Sequence, residues 1–177
     1  MADAVRTVRE REDADLPELA AVLERVYAEN GYPVEGIADP PAWLEHPHAI
    51  QHWTAVVDGT PVGQVTLAEA QPDDDAARAW AEHTGGSVTD IAVMARLFVD
   101  PRHRGQGLAG FLILVLRHHA YLLGRTVVFD VMAKDTAAVR LYDRSGAARI
   151  AEVTHRFNDG LTEPALVYVF PEPRVAG

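Results

Sequence analysis

The chain has 177 residues, of which 48% are hydrophobic, and its 26 acidic and 16 basic residues give a net charge of −10 at neutral pH. This length fits one domain with a substantial core, and the acidic balance argues against a nucleic-acid-binding surface. The charge mildly favours a cationic small-molecule partner, although solubility alone accounts for such an excess. Because the sequence contains no cysteine, disulfides, thiolate metal sites and a cysteine nucleophile are excluded.

The first half of the sequence combines strand patterns with helix patterns. An apolar stripe that starts near Asp15 and Glu18, which have the spacing of a capping box, predicts a long helix. The pair Asp58-Gly59 between two apolar runs predicts a β-hairpin. The predicted elements, in chain order, are a strand at 5–9, a helix at 16–30, a loop at 32–50 with a short helix at 42–46, hairpin strands at 53–57 and 62–68, and a short helix within 71–86.

The second half begins with a long alternating strand, which is followed by a strongly apolar helix. The face that the strand is predicted to bury consists of Ile91, Val93, Ala95, Leu97 and Val99. The predicted apolar stripe of the helix consists of Leu108, Phe111, Leu112, Val115, His119 and Leu122. The elements are a strand at 89–99, a helix at 108–123, a strand at 126–131, a helix at 135–145, hairpin strands at 148–157 and 165–170 around a turn at 158–160, and a tail at 171–177. This order predicts an α+β fold with a mixed sheet.

A basic, glycine-containing loop separates the strand Leu97–Val99 from the long helix. The first backbone N–H groups of a helix lack intrahelical partners, and the helix dipole places partial positive charge there. Gly105 and Gly107 leave the backbone accessible, while Arg102 and Arg104 add positive charge. The segment lacks the Gly-Lys-Ser/Thr of a P-loop, and it fits the dinucleotide fingerprint only with relaxed spacing. It therefore predicts a diphosphate site at the start of the helix.

Two motifs resemble those of the GNAT N-acetyltransferases. The run Arg104-Gly105-Gln106-Gly107-Leu108-Ala109 resembles the family's coenzyme A loop, Arg/Gln-x-x-Gly-x-Gly/Ala. Residues 135–147 resemble Asn-x-x-Ala-x-x-x-Tyr-x-x-x-Gly-Phe, with Asp135 in place of asparagine and Ala147 in place of phenylalanine. The resemblance covers residues 97–147. It implies one GNAT domain over residues 1–177, with a central mixed, mostly antiparallel sheet flanked by helices on both faces.

The resemblance also implies acetyl-CoA as co-substrate and assigns residues to it. The backbone of Leu97, Phe98 and Val99 would bind the pantetheine arm, and the loop from Arg104 to Ala109 would bind the pyrophosphate. Asp135 and Tyr142 would complete the coenzyme contacts. Tyr142 would also be the general acid, because a phenol is protonated at neutral pH and can donate to the departing thiolate. Without a cysteine, the amine would attack the thioester directly in a ternary complex.

The general base has less support in the sequence. Some members of the family carry a glutamate on the central strand, where this chain has Val93. Others carry one on the next strand, at the position of Asp130, which interrupts an apolar run where desolvation would raise its pKa. Asp130 is the candidate. Glu69, Asp90 and a water chain without a dedicated base remain alternatives.

The acceptor is expected to be a small-molecule or peptide amine, with charge favouring a cationic one. Residues 28–50 and 71–86 are expected to shape its pocket, and the aspartates at 73–75 predict an acidic rim. The alternative function is a non-catalytic acyl-CoA sensor or interaction module. Neither a nucleic acid nor a membrane is an expected partner, a homodimer stays open, and the expected location is cytoplasmic. The histidines at 46, 48, 52, 118 and 119 lack the converging geometry of a metal site, so no metal is expected.

Overall fold

The computed structural model describes residues 4–157 and 159–171 of the chain, and this part contains seven strands and five helices. The strands are β1 (Arg6–Glu10), β2 (Ala49–Val57), β3 (Thr60–Glu69), β4 (Ile91–Val99), β5 (Thr126–Met132), β6 (Ala148–Arg156) and β7 (Thr162–Val169). The helices are α1 (Leu16–Asn30), α2 (Pro40–Leu44), α3 (Asp75–Thr84), α4 (Leu108–Leu122) and α5 (Thr136–Arg144). The predicted helices and strands are all present, with ends shifted by up to four residues.

The seven strands form one sheet in the order β1-β2-β3-β4-β5-β7-β6. The pairings β1–β2, β2–β3, β5–β7 and β6–β7 are antiparallel. The pairing of β4 with β5 is parallel and joins Ile91–Val93 to Thr126–Val128. This mixed, mostly antiparallel sheet with flanking helices confirms the predicted α+β fold. No helix in the described part of the chain is long and apolar enough to cross a membrane.

The chain divides into two compact units, Met1–Ala68 with Ala95–Leu116 and Glu69–Met94 with Arg117–Gly177. In the first unit, α1 buries one face, because its apolar residues recur at helical spacing. This face packs with α2 and with the end of β4. The fully or nearly fully buried members of this core are Leu19, Val22, Leu23, Val26, Leu44 and Phe98.

The core of the second unit lies under α3. Three alanines of this helix are buried, and their small side chains allow the helix backbone to lie close to the sheet. The helix packs against β5, β6 and β7. The buried members of this core are Ala76, Ala77, Ala79, Ile91, Val128 and Val167.

Two buried faces differ from the prediction. In β4, Ala92, Met94 and Phe98 are buried with Ile91, whereas Val93, Ala95, Leu97 and Val99 are only partly buried. A central strand has both faces covered, so alternation is a poor guide to the more buried face. In α4, Phe111 and Leu122 are exposed, and Ile113, Leu116 and Ala120 are buried instead. Because that helix is apolar on nearly every side, its sequence leaves the direction of the core ambiguous.

The cap of α1 also differs from the prediction. Asp15 does not cap this helix through its side chain, since its carboxylate accepts two hydrogen bonds of 2.7 Å from Arg9 and one from the backbone N–H of Glu12. The reciprocal capping box instead joins Glu12 and Asp15 in the preceding 3-10 turn. Asn158 of the predicted turn and residues 172–177 of the predicted tail lie outside the described residues.

Candidate functional site

The end of β4 has an irregular backbone at Arg96, whose φ is +55°. Such a conformation costs a non-glycine residue of the order of 1–3 kcal/mol and persists where surrounding contacts hold it. Here the guanidinium lies 5.0 Å from the ring centroid of Trp43 and also donates to the backbone carbonyl of that residue. Leu97 and Val99, which follow, are only partly buried. The irregularity thus directly precedes the strand residues predicted to bind the pantetheine arm.

Asp100 connects the end of β4 to the basic loop. Its side chain is fully buried, and it accepts from the backbone N–H of Arg102 at 3.0 Å. It also forms ion pairs with Arg102 at 2.7 Å and with Arg25 at 2.8 Å. Burial alone would raise the pKa of Asp100, but the hydrogen bonds from Arg102 and Arg25 outweigh it and hold that pKa well below its ordinary value. Asp100 is therefore an ionised anchor for the loop.

The loop then enters α4 through two glycines with left-handed backbones, Gly105 at φ +73° and Gly107 at φ +77°. A Cβ atom on either would meet nothing within 4 Å, so the glycines are needed for their conformation and leave open space in front of the loop. The first helical hydrogen bond of the turn runs from Phe111 N–H to Gly107 carbonyl at 3.0 Å. The N–H groups before Phe111 begin the helix and suit an anion.

The two arginines of the loop carry less uncompensated charge than the sequence predicted. Arg102 is paired with Asp100, and Arg104 donates to Glu29 of α1 at 2.6 Å. The side chain of Gln106 accepts from Arg6 of β1 at 3.2 Å, which ties the loop to the edge strand of the sheet. None of the partners Glu29, Asp100 or Arg6 carries a sequence motif, so these contacts were not predictable.

Tyr142 lies on α5 in the second unit and is 8% exposed. Its ring packs on Phe129 with centroids 4.5 Å apart and on Tyr168 at 6.0 Å. Burial raises the pKa of the Tyr142 phenol, and the carboxylates of Asp135 and Asp130 raise it further, so the group is protonated at neutral pH. In the described part of the chain, no hydrogen bond engages its hydroxyl. The ring is a core aromatic, and its proton is free for another acceptor.

Asp135 occupies the N-cap of α5. Its Oδ1 atom accepts from the backbone N–H of Ala138 at 3.0 Å, which satisfies one of the free donors of the helix start. Asparagine and aspartate are about equally good at this task. The departure from the family's asparagine therefore keeps the cap, and the sequence-predicted coenzyme contact through Asp135 stays a prediction.

Asp130 opens into a cavity of about 470 Å³ that lies within the second unit. Burial raises the pKa of Asp130, while the charge of His155 acts in the opposite direction. The sequence predicted Asp130 and the acidic segment near residue 73 separately, and the structure brings them to one cavity. Its lining consists of Asp73, Asp74, Asp75, Ala76, Arg78, Val93, Asp130, Thr154, His155 and Arg156.

The three consecutive aspartates have different surroundings. Asp74 accepts from the backbone N–H of Gln71 at 2.7 Å, and Asp75 is paired with both Arg78 and His155. Asp73 is exposed. Of the three aspartates, Asp73 therefore contributes least to the local structure of the segment. Residues 28–50, the other segment predicted to shape the acceptor pocket, lie in the first unit.

The other residues that the sequence singled out have local partners. Glu69 pairs with Arg125, and Asp90 accepts from the backbone N–H of Ser87 at 3.0 Å. His52 bonds Thr66 at 2.8 Å, and burial lowers its pKa to about 4. Among the residues that the structure describes, no group of three or more histidines, cysteines, aspartates or glutamates is placed to hold a metal ion.

Comparison with solved structures supports the same fold. A putative acetyltransferase from Salmonella typhimurium, solved with its cofactor acetyl-CoA, is 16% identical, with a TM-score of 0.70 and coverage of 97% of this chain and 96% of that one. A ribosomal-protein-alanine N-acetyltransferase from Brucella melitensis is 19% identical, with a TM-score of 0.67 and coverage of 92% and 98%. A chimera of the spermidine N-acetyltransferase from Vibrio cholerae with hSSAT is 18% identical, with a TM-score of 0.66 and coverage of 93% and 94%.

No curated protein sequence matches this chain significantly. The model of the acetyltransferase (GNAT) family, however, matches residues 17–147, which span both sequence motifs and most of the described elements. The seven-stranded sheet and the glycine-opened start of α4 agree with that match. The chain belongs to the acetyltransferase (GNAT) family.

Proposed function

We propose that this chain transfers the acetyl group of acetyl-CoA to a primary amine, which attacks the thioester directly in a ternary complex. The observation that carries the proposal is the start of α4, where two left-handed glycines leave open space before the first helical N–H groups. A helix start of this kind suits a pyrophosphate. Membership of the acetyltransferase family and the acetyl-CoA complex among similar folds support the choice of acetyl-CoA.

The end of β4 and the start of α4 supply the coenzyme-binding backbone in this proposal. The loop from Arg104 to Ala109 binds the pyrophosphate, and the strand residues Leu97–Val99 bind the pantetheine arm through their backbone. Asp100 holds the loop through Arg102 without touching the coenzyme. A backbone N–H of the strand polarises the thioester carbonyl, since an oriented donor stabilises the oxyanion that forms there.

Tyr142 is the proton donor in this proposal. Tyr142 gives its phenolic proton to the thiolate as the carbon–sulfur bond breaks. Its burial among Phe129 and Tyr168 keeps the phenol neutral before the reaction, and the absence of a hydrogen bond to it in the described residues leaves the proton available. Asp135 contributes to the coenzyme site from the N-cap of the same helix.

The cavity beside Asp130 receives the amine in this proposal. An amine enters as an ammonium ion and must lose a proton before it can attack. Asp130 is suited to take that proton because burial raises its pKa. The three aspartates at 73–75 that line the cavity favour a cationic acceptor. The spermidine and ribosomal-protein-alanine enzymes among similar folds support amines as the acceptor class.

The test combines calorimetry with a coenzyme A release assay. Acetyl-CoA is titrated into the protein, and free thiol is then followed with spermidine, a peptide with N-terminal alanine, a lysine peptide blocked at its N-terminus, and an aminoglycoside. The proposal expects binding together with thiol release above the amine-free blank for at least one acceptor. Binding without release for all of them favours the non-catalytic acyl-CoA module, and absence of binding contradicts both functions.

A further inference from the structure

His155 is a part of the cavity that no sequence motif marks. It lies near the end of β6, its side chain is 33% exposed, and it lines the same cavity as Asp130. Its ring packs edge-on against Phe157, with centroids 4.6 Å apart. Its Nδ1 atom lies 2.9 Å from Oδ2 of Asp75, which belongs to α3.

Asp75 determines which ring nitrogen of His155 carries the proton. The carboxylate is only 16% exposed, with one oxygen on Arg78 and the other on His155 Nδ1. An ionised carboxylate can only accept, so Nδ1 is the donor, and in the neutral form of an imidazole held this way the acceptor atom is Nε2. No described residue hydrogen-bonds Nε2. The contact with Asp75 therefore orients the ring and leaves Nε2 without a partner among the described residues, at the side chain that lines the cavity.

Acetylation of an amine requires groups that accept protons from the amine nitrogen. The nitrogen of a primary amine goes from an ammonium with three protons to an amide with one, so two protons must leave it. One carboxylate such as Asp130 accounts for the first proton only. The second proton leaves the positively charged nitrogen of the tetrahedral intermediate, after the carbon–nitrogen bond has formed.

We propose that His155, oriented by Asp75, is a second catalytic base that takes this proton on Nε2. The inference rests on the proposed function. Asp130 accepts the first proton from the ammonium, the neutral amine attacks, and His155 accepts the second from the nitrogen of the tetrahedral intermediate. The carbon–sulfur bond then breaks, and the thiolate takes a proton from Tyr142. Of the two protons removed from nitrogen, one restores Tyr142 and one is released to water, so the reaction balances.

Several charged groups surround the imidazole and set its environment. Asp75 and Arg78 face it from α3, and Asp130 acts on it from β5. Arg156 follows it on β6 and also lines the cavity. Glu163 is its register partner on β7, where that carboxylate is paired with Lys134 at 2.7 Å. His155 is the one imidazole that the described cavity lining contains.

The test uses His155→Asn, whose amide nitrogen can replace Nδ1 toward Asp75 but which has no counterpart of Nε2. The proposal expects kcat to fall roughly 10²-fold with the best acceptor of the amine panel, with an unchanged acetyl-CoA Kd and Tm. His83→Asn, at the exposed end of α3, is the matched control and should keep the wild-type rate. Asp75→Asn should lower kcat by less, because the base remains but its tautomer is no longer held.

Chemical rescue separates a base from a packing role. Imidazole added to His155→Ala should restore part of the turnover, after subtraction of a blank without amine, and it should leave the wild type unchanged. His155→Asn turnover within threefold of wild type overturns the proposal, and so does a loss that imidazole fails to restore. If the wild type acetylates no amine of the panel, the proposed function fails and this inference fails with it. An active wild type with an unaffected His155→Asn variant rejects the inference alone.

Discussion

Arg104, the first residue of the coenzyme-loop motif, donates from Nη1 to Oε1 of Glu29 at 2.6 Å. Both side chains are about half exposed, at 49% and 45%, and the pair joins the loop to the last turn of α1. A pyrophosphate that binds Arg104 must compete with this carboxylate. The pair therefore lowers the affinity of the loop for an anion, although an exposed ion pair is worth at most about 1 kcal/mol.

Glu29→Gln should therefore strengthen acetyl-CoA binding. We expect Kd to fall by about threefold to fivefold at low salt, since the competing charge is gone and the arginine is free. The gain should shrink as ionic strength rises. Isothermal calorimetry measures the change. Glu24→Gln removes the same charge from an exposed position of α1 and should leave Kd unaltered. If both variants lower Kd equally, the cause is the change in net charge and not the loss of competition for Arg104.

Gly107→Glu should abolish most coenzyme binding. The side chain occupies the open space before the helix start, adds a negative charge and strains a backbone at φ +77°. We expect a loss of at least about 2 kcal/mol in binding free energy. Gly124→Glu, at φ +68° and equally open, introduces the same strain and charge outside the loop. Gly124→Glu should lower Tm by a similar amount yet bind acetyl-CoA normally. Equally weak binding by both variants would contradict a coenzyme site at the loop.

Tyr142→Phe should lower kcat by roughly 10²-fold with little change in acetyl-CoA affinity. The ring packing on Phe129 is kept, and no hydrogen bond within the described residues is lost, so Tm should stay close to wild type. Tyr168→Phe is the control within the same aromatic cluster. It loses a 3.0 Å hydrogen bond to Asp143 and should cost stability without slowing turnover. A Tyr142→Phe enzyme within threefold of the wild-type rate would leave Tyr142 a purely structural aromatic.

The acidic lining of the cavity should lower KM for a cationic acceptor, and Asp73→Asn tests this effect. Asp73→Asn removes an exposed charge while Asp74 and Asp75 keep their contacts. For spermidine, KM should rise several-fold at low salt and converge with wild type at high salt, because screening weakens attraction beyond about 8 Å at physiological ionic strength. Steady-state kinetics over a salt series measures this. Glu82→Gln, at the far end of α3, should change KM little. If KM is independent of salt in both variants, the acidic rim does not select the acceptor.

Partly buried His52 predicts a pH dependence of stability. Burial lowers its pKa from 6.5 to about 4, and the nearby charge of Arg11 acts in the same direction. The folded state therefore disfavours the imidazolium, so its stability is complete above pH 6.5 and is lost as the pH falls toward 4. The expected loss is up to roughly 3 kcal/mol. Urea unfolding over a pH series measures this, and His52→Gln should show a flatter profile in this window than the wild type; an unchanged profile would contradict the prediction.

The fold was largely predictable because its elements carry strong local signals. Asp58-Gly59 made the hairpin evident, and the spacing of apolar residues located α1. The buried sides of β4 and α4 were not predictable, since both elements are apolar in more than one direction. The cap of α1 was misplaced because Arg9 of β1, six residues before Asp15, binds the carboxylate of Asp15, and this contact belongs to no helix-capping pattern.

The parts of the candidate site that depend on the backbone of one loop were predictable. The parts that depend on ion pairs between residues far apart in the sequence were not. Gly105 and Gly107 were predicted to leave the backbone accessible, and in the structure a Cβ atom on either would meet nothing within 4 Å. The pairing of Arg104 with Glu29 spans 75 positions and leaves no trace in the sequence. The same is true of His155, whose contact with Asp75 spans 80 positions. Such ion pairs depend on tertiary packing, and the spacing of apolar residues along the sequence does not predict them.

The most direct test of the account follows both products of one reaction. Wild-type protein, acetyl-CoA and the best amine of the panel are incubated, free thiol is measured optically, and the acetylated amine is quantified by mass spectrometry. We expect thiol and acetylated amine in equal amounts, with Gly107→Glu forming much less of both at a subsaturating concentration of acetyl-CoA. Thiol release without acetylated amine, or equal turnover by Gly107→Glu, would contradict acetyl transfer to an amine from a coenzyme bound at the start of α4.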